Sequence, residues 1–499
     1  MSFIIEKLDG IGILKFQYKQ IYNYVNFINP KIWSPGCNWL RPLSVVGSCR
    51  DCTPSPKMAC SVVRSPLLRG PTVRCYASVA LARSPVSLAP EVQTLSNNVT
   101  IATLDTDSPI AQVSILFRAG SRNETYDTQG TAHHLRIAAG LSTSRSSVFA
   151  ITRNIQQLGG NLSATADRES IAYTLRITKN NLDEALKFLE DVATRQVFKP
   201  WEVSDQLPRM RYELSSIPDT TRVLELLHKA AYRSGLGYSL YSPKRQLGKI
   251  GTETLQHFVN SWCTTSRCAV VATGISLPEL RAFATNLDLG TQDRNIESSR
   301  YYGGESRKER TSPLTSVAVA VEGAALNNKD ALACAILQQA AGTGPRVKWG
   351  NSISPLYKQV SSAAGAELFA LSTFNASYSD SGLFGFVLRS TPNIAGSLTK
   401  AACSWLKSLN VSEADIARGK NLLKTEIFDA ADTMNGSLEN LQQQVLFKGT
   451  ASTPQCLVND IDKLSVSDIK STAQNLARGS LSMAAIGDLS TVPYLDQLN

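Results

Sequence analysis

The sequence predicts an α+β fold built from two homologous domains, each with a sheet backed by helices. Three observations lead to this prediction. About 420 of the 499 residues follow a leader-like N-terminus, which is more than one hydrophobic core usually accommodates. Short strand patterns recur at one fixed spacing. Stretches with helical periodicity lie between those strands.

Two pairs of strand-like segments repeat at the same distance along the chain. Residues 173–178 (YTLRIT) and 386–391 (FVLRST) both run into a helical pattern, and they lie 213 residues apart. Residues 269–274 (AVVATG) and 482–487 (SMAAIG) both close a helical region and end in glycine, again 213 residues apart. Two matches at one offset indicate an internal duplication.

Each copy has the same predicted order of elements. An apolar strand (113–118 and 317–321) comes first, and helices, a strand pair (162–177 and 367–388), amphipathic helices and a last strand follow. Residues 181–195 illustrate the helical signal, because apolar residues recur there at i, i+3 and i+4 among acidic ones. These apolar positions are Leu182, Ala185, Leu186, Leu189 and Val192.

The segment 291–311 is rich in charged and turn residues, and we predict that it is an exposed linker. It would separate an N-terminal domain at 77–290 from a C-terminal domain at 312–499. No apolar run reaches about 18 residues, so the sequence contains no candidate for a membrane-spanning helix.

The N-terminus has the composition of a mitochondrial transit peptide. Residues 52–90 contain no Asp or Glu, and four arginines are spaced among Ser, Ala, Val and Leu. We assign residues 58–76 as the transit peptide, with Met58 as the physiological start and the mature chain beginning near Ala77. Residues 1–57 match neither the leader nor the later fold, and we interpret them as an unassigned upstream extension.

Most of the net positive charge of the chain belongs to this leader region. Residues 1–76 hold ten of the 51 Lys and Arg residues and three of the 41 Asp and Glu residues, which leaves 41 basic and 38 acidic residues. With no basic stripe and no zinc-finger spacing in the remainder, a nucleic-acid partner is not expected. The five later cysteines are scattered, as buried free thiols would be; they are Cys263, Cys268, Cys334, Cys403 and Cys456.

Residues 130–137 (GTAHHLRI) have the outline of an inverted zinc-peptidase helix, His-x-x-Glu-His. In that motif two histidines on one helix face bind the metal, and the glutamate is the general base. Only the first histidine is present, as His133. Arg136 stands at the position of the base and Ile137 at that of the second histidine. Because a guanidinium is always protonated, no pH restores the base.

A second match makes the motif more specific, since Glu213 lies 76 residues beyond Ile137. This arrangement resembles the pitrilysin family, which includes insulin-degrading enzymes and the mitochondrial processing peptidase, and in which a third ligand, a glutamate, follows at this distance. The segment 198–214 resembles the second metal helix of that family. Pro208 departs from the pattern and is expected to bend the helix, which leaves the direction of Glu213 open.

Electrostatics decide whether this degenerate site could hold zinc. A guanidinium about 5 Å from a divalent cation, at an effective dielectric near 20, repels it by roughly 7 kcal/mol. We therefore predict no catalytic residue, no metal and no cofactor at His133, Arg136, Ile137 and Glu213. His133 is expected to be a packed or hydrogen-bonded helix histidine, and His228 and His257 to be packing or surface residues.

One further segment narrows the resemblance within the family. Residues 341–352 (AGTGPRVKWGNS) and 355–360 (PLYKQV) resemble the core-protein-2 branch, whose members belong to mitochondrial ubiquinol-cytochrome c reductase, respiratory complex III. The glycines do not form a phosphate-binding loop. The resemblance spans 84–499 and implies two pitrilysin-like domains, the first with the degenerate zinc motif.

The resemblance implies a structural subunit without enzymatic activity, on the matrix side of the mitochondrial inner membrane. Its implied partners are core protein 1, cytochrome b, cytochrome c1 and the iron-sulfur protein, in a dimeric multi-subunit complex to which this chain is peripheral. The sequence has no haem ligation motif and no iron–sulfur cysteine cluster, so electron transfer is expected to belong to those partners.

Two alternatives remain open from the sequence. A zinc endopeptidase is disfavoured by Arg136 and Ile137. The non-catalytic, substrate-holding subunit of mitochondrial processing peptidase also lacks the full motif, but it carries a long flexible glycine-rich loop. Here the equivalent region, 342–350, contains Pro345 and bulky Trp349 instead.

Overall fold

The computed structural model describes residues 89–106, 108–292, 294–342, 344 and 353–498. The predicted extension at 1–57, the predicted transit peptide at 58–76 and most of the segment 341–352 lie outside the described residues. The described residues contain two sheets with helices packed on them, and the two sheets have related topologies.

The first sheet has six strands in the order β1-β2-β6-β3-β5-β4. The pairing of β2 with β6 is parallel, and the other pairings are antiparallel. The strands are β1 (Glu91–Thr94), β2 (Thr100–Leu104), β3 (Ile110–Phe117), β4 (Asn161–Ala166), β5 (Ile171–Thr178) and β6 (Cys268–Thr273). The helices of this half are α1 (Thr131–Ala138), α2 (Val148–Gln157), α3 (Leu182–Thr194), α4 (Pro200–Asp205), α5 (Leu207–Ser216), α6 (Asp219–Tyr232), α7 (Thr252–Trp262) and α8 (Leu277–Thr285).

The second sheet has five strands in the order β7-β11-β8-β10-β9, and only β7 with β11 is parallel. The strands are β7 (Gly304–Glu309), β8 (Thr315–Glu322), β9 (Phe369–Ser377), β10 (Gly382–Ser390) and β11 (Ser482–Gly487). The helices are α9 (Asp330–Ala341), α10 (Pro355–Ala364), α11 (Pro392–Ser408), α12 (Glu413–Asp432), α13 (Met434–Lys448), α14 (Pro454–Lys463) and α15 (Val466–Ala477).

The two sheets repeat one strand order. Strands β2-β6-β3-β5-β4 of the first sheet match β7-β11-β8-β10-β9 of the second, both in sequence order and in the direction of each pairing. The α+β fold and the internal duplication predicted from the 213-residue offset are therefore confirmed. Strand β1 is the addition that distinguishes the first sheet.

Part of the predicted linker is a strand. Residues 304–309 (GESRKE) form β7, the counterpart of β2 and an edge of the second sheet. This strand lacks the apolar pattern from which strands are predicted, because an edge strand is half exposed and carries charged residues that discourage pairing with other chains. The prediction that all of 291–311 is an exposed linker is therefore wrong for this part.

Each half of the chain supplies a helix to the sheet of the other half. Helix α6, from the first copy, packs through Val223, Leu224 and Leu227 on one face of the second sheet. The other face of that sheet is covered by helices of the second copy. Helix α13, its counterpart in the second copy, packs through Leu438, Leu441 and Val445 on the first sheet. Each copy therefore keeps a main core of its own, and two smaller apolar clusters contain residues of both copies.

Polar contacts at the turn between β9 and β10 also join the halves. Arg122 of the first copy forms ion pairs with Asp380 in this turn and with Glu169, and it donates to the hydroxyl of Ser379 at 3.0 Å. Glu169 in turn accepts the Ser379 backbone N–H at 2.9 Å. The side chain of Arg122 is buried, so this cluster is a desolvated junction between the copies.

Among the described residues, no helix is both long and apolar enough to cross a bilayer. Four of the five described cysteines are buried and unpaired, as expected, whereas Cys456 is exposed near the start of α14.

Candidate functional site

The degenerate motif lies on α1, and the start of this helix is fixed by the buried carboxyl group of Glu124, whose pKa burial raises to about 8. The two oxygens of Glu124 accept the backbone N–H groups of Gly130 and Ala132, each at 2.8 Å. Gly130 has φ +95°, and a Cβ there would lie 2.5 Å from the Ser242 hydroxyl. A side chain at this position would therefore be both strained and blocked, which makes glycine necessary.

His133 is buried and held from two sides. The backbone N–H of Ser242 donates to its Nδ1 at 3.2 Å, and the Tyr241 ring packs edge-to-face at 5.7 Å between centroids. Because an N–H can only donate, Nδ1 carries no proton, and the neutral ring has its proton on Nε2. Burial lowers the pKa of His133, which favours this neutral form.

Glu213 faces His133 and Arg136 together. Its Oε2 lies 3.4 Å from His133 Nε2, a long polar contact, and its Oε1 forms an ion pair with Arg136. Burial alone would raise the pKa of Glu213, but the contact with His133 and the charge of Arg136 outweigh burial and hold it at about 2. Ile137, the fourth residue of the motif, is buried.

The helix that carries Glu213 is interrupted, as Pro208 predicts. Helix α4 ends at Asp205, Gln206 joins it to α5, and Pro208 lies in the first turn of α5, where a missing N–H costs nothing. The counterpart in the second copy, α12, is one continuous helix of 20 residues. The direction of Glu213, left open by the sequence, is toward His133 and Arg136.

The residues present do not fit a zinc ion. The carboxylate of Glu213 is paired with Arg136, and His133 Nε2, which carries the ring proton, lies 3.4 Å from the other carboxylate oxygen without a hydrogen bond. Ile137 offers no donor atom. Within the part of the chain that the structure describes, no group of three or more His, Cys, Asp and Glu side chains lies close enough together to hold a metal. The arrangement is an ion pair beside a neutral histidine.

The other histidines have structural environments. His134 Nδ1 lies 2.8 Å from the Gly130 carbonyl, and burial lowers its pKa to about 4. His228 on α6 is buried and contacts Tyr378 of the second copy at 2.7 Å. His257 is exposed on α7.

Sequence reasoning missed three residues that shape the site. Glu124, Tyr241 and Ser242 lie outside the motif, and the last two reach His133 from a loop more than 100 residues away. Ser242 contributes its backbone N–H, which every residue except proline possesses. No sequence signal could therefore have identified it.

Comparisons with known proteins agree with the geometry of the fold. The family described as insulinase (peptidase family M16) matches residues 100–244, and the family described as peptidase M16 inactive domain matches residues 249–423. The chain is 35% identical to the human protein named cytochrome b-c1 complex subunit 2, mitochondrial, over 84% of this chain and 95% of that protein.

Two other relatives widen this comparison. The rat protein with the same name is 35% identical over 82% of this chain and 92% of its own length. A protein of Arabidopsis thaliana named probable mitochondrial-processing peptidase subunit alpha-1 is 28% identical over 82% of this chain and 84% of its own length. The chain therefore shares more identity with these two b-c1 subunits than with this processing-peptidase subunit.

Proposed function

Because the chain belongs to the insulinase family, peptidase family M16, and its relatives include subunit 2 of the cytochrome b-c1 complex, we propose that it is a structural core subunit of mitochondrial respiratory complex III. It acts without catalysis. Its role is to support the assembly and stability of a complex whose other subunits transfer electrons from ubiquinol to cytochrome c.

One observation supports the non-catalytic role above the others. The place where a peptidase of this family would hold its metal and its base contains an ion pair between Arg136 and Glu213. Arg136 cannot accept a proton, and the two carboxylate oxygens of Glu213 already contact Arg136 and His133. No group at the site can therefore activate a water molecule, which peptide hydrolysis requires.

The partners and the position of the chain follow as parts of this proposal. We infer that it contacts core protein 1 and supports cytochrome b, cytochrome c1 and the iron-sulfur protein, within a dimeric complex. Its place is on the matrix side of the inner membrane, where it is peripheral to the bilayer. The leader-like segment 58–76 and the names of the relatives support import into mitochondria.

Native electrophoresis of mitochondria solubilised in mild detergent tests the proposal. Mass spectrometry of gel slices should find peptides of this chain in the band that contains cytochromes b and c1. Depletion of the chain should lower the amount of that band and the ubiquinol-cytochrome c reductase activity together. Migration of the chain with the catalytic β-subunit of a processing peptidase, and not with the cytochromes, would overturn the proposal.

A further inference from the structure

We propose that Arg136 and Glu213 form a clasp that holds α5 in place against α1, so that the remnant of the metal motif now has a mechanical role. The contact joins two helices of this chain, so it does not depend on which complex the chain joins.

Helix α5 has little apolar surface to hold it. Of its ten residues, Met210 alone is buried, and Tyr212 is 67% exposed. The equivalent region of the second copy is continuous and buries Ile416 and Gly419 within α12. A short helix with one buried side chain gains little from hydrophobic burial, and such helices open locally with small free energies.

The break before α5 removes a second source of support. Helix α4 ends at Asp205, so α5 is not the continuation of a longer helix that could hold it by backbone hydrogen bonds. At its far end, Arg222 of α6 donates to the carbonyls of Leu214 and Ile217, at 2.7 and 3.0 Å. Those contacts hold the backbone at the C-terminal end of α5 against α6 and make no contact with α1.

Glu213 supplies the ion pair between α5 and α1. One of its carboxylate oxygens pairs with Arg136 and the other lies 3.4 Å from His133, both on α1. Helix α1 is firmly placed, since seven of its eight residues are buried and Glu124 caps its start. A charged hydrogen bond to such a fixed partner is stronger than one between neutral groups.

Both groups of the clasp stay ionised over the physiological pH range. Arg136 stays protonated at every physiological pH. The pKa of Glu213 lies at about 2, so its carboxylate is ionised as well. Both side chains are less than a quarter exposed, which limits screening by water and salt. The contact therefore needs no metal and no change of protonation.

Hydrogen–deuterium exchange of the full chain, purified within its native complex, tests the clasp. The variants are Arg136→Gln, Glu213→Gln and the double variant, and the matched control is Arg211→Gln, an exposed arginine on the same helix. Each single variant should exchange the amides of 207–216 about tenfold faster, while β3 and β5 keep their wild-type rates. The double variant should be no faster than the faster single variant, because the two changes remove one contact.

Two results would overturn the proposal. In the first, the amides of 207–216 exchange in Arg136→Gln and Glu213→Gln at the rate seen in Arg211→Gln, which would mean that α5 is held by something else. In the second, exchange accelerates equally in α5, β3 and β5, which would mean that the ion pair supports the whole fold and not the position of one helix.

Discussion

The imidazole of His228 and the phenol of Tyr378 meet at the junction of the two copies, with His228 Nε2 2.7 Å from the Tyr378 oxygen. His228 Nδ1 lies 2.8 Å from the Leu224 carbonyl, which can only accept, so Nδ1 carries the proton. Nε2 therefore accepts the Tyr378 hydroxyl proton. This hydrogen bond ties α6 of the first copy to the strand end of the second.

Removal of this acceptor should destabilise the fold. His228→Phe keeps a ring of similar size but leaves the buried Tyr378 hydroxyl without an acceptor, which should cost about 1–3 kcal/mol of unfolding free energy. Urea unfolding followed by circular dichroism measures the loss. The control His257→Phe, at an exposed position of α7, should change stability by less than about 0.5 kcal/mol. Equal losses in both variants would contradict the contact.

Loss of the ion pairs of Arg122 should lower the unfolding free energy more than loss of the His228–Tyr378 hydrogen bond does. Arg122→Met removes a cation that serves Glu169 and Asp380 and leaves two carboxylates at a buried junction. Loss of one partner of a buried pair costs about 3–5 kcal/mol. Arg153→Met, at an exposed position of α2, is the matched control. The midpoint and slope of urea unfolding give the unfolding free energy of each variant. If Arg122→Met loses less than about 1 kcal/mol more than Arg153→Met does, the cluster is not a structural junction.

The buried histidines should make the chain sensitive to mild acid. The pKa of His134 falls from 6.5 in the unfolded chain to about 4 in the fold because of burial. A depressed pKa means that the unfolded state binds the proton first, so stability is fully present above pH 6.5 and is lost as pH falls toward 4. Between pH 6.5 and 5 this histidine alone should cost about 2 kcal/mol.

The variant His134→Gln isolates that contribution. Gln does not titrate, so the difference in unfolding free energy between the variant and the wild type should narrow as pH is lowered from 7 to 5. Urea unfolding at several pH values provides the measurement. A difference that stays constant over this range would mean that His134 is not the group that takes up the proton.

The sequence predicted the parts of the fold that leave a periodic or repeated signal. The 213-residue offset is confirmed by the matching strand orders, and the last strand of the second copy has the predicted bounds, Ser482–Gly487. Strand β7 was missed because charged edge residues resemble a linker. The exchange of α6 and α13 was also missed, because an amphipathic pattern shows that one face is buried but not which sheet covers it.

The sequence likewise predicted which residues form the candidate site but not how they are oriented. Motif spacing was enough to select the four site residues, because positions at fixed spacings on two packed helices lie close together in the fold. These residues are His133, Arg136, Ile137 and Glu213. The orientation of Glu213 could not be predicted, because it depends on how the chain turns at Gln206 before Pro208. The tautomer of His133 depends on one backbone N–H from Ser242, which sequence does not encode.

The exchanged helix α13 gives a prediction about cooperativity. Leu441→Ala removes an apolar side chain that packs on the first sheet, and it should cost about 2–5 kcal/mol. Leu368→Ala, at a half-exposed leucine, is the matched control. Because α13 belongs to the second copy but packs on the first sheet, hydrogen exchange should accelerate in α13 and in β3 alike. Acceleration confined to α13 would contradict this packing of α13 on the first sheet.

The most direct test of the central claim is to measure metal and peptidase activity in the wild-type chain. The chain is isolated from native complex, and its mass is determined under non-denaturing conditions while cleavage of mitochondrial presequence peptides is followed with and without chelator. A chain whose motif is filled by the Arg136–Glu213 ion pair should carry no zinc and should cut no peptide. One tightly bound zinc per chain, with cleavage that the chelator abolishes, would contradict the claim.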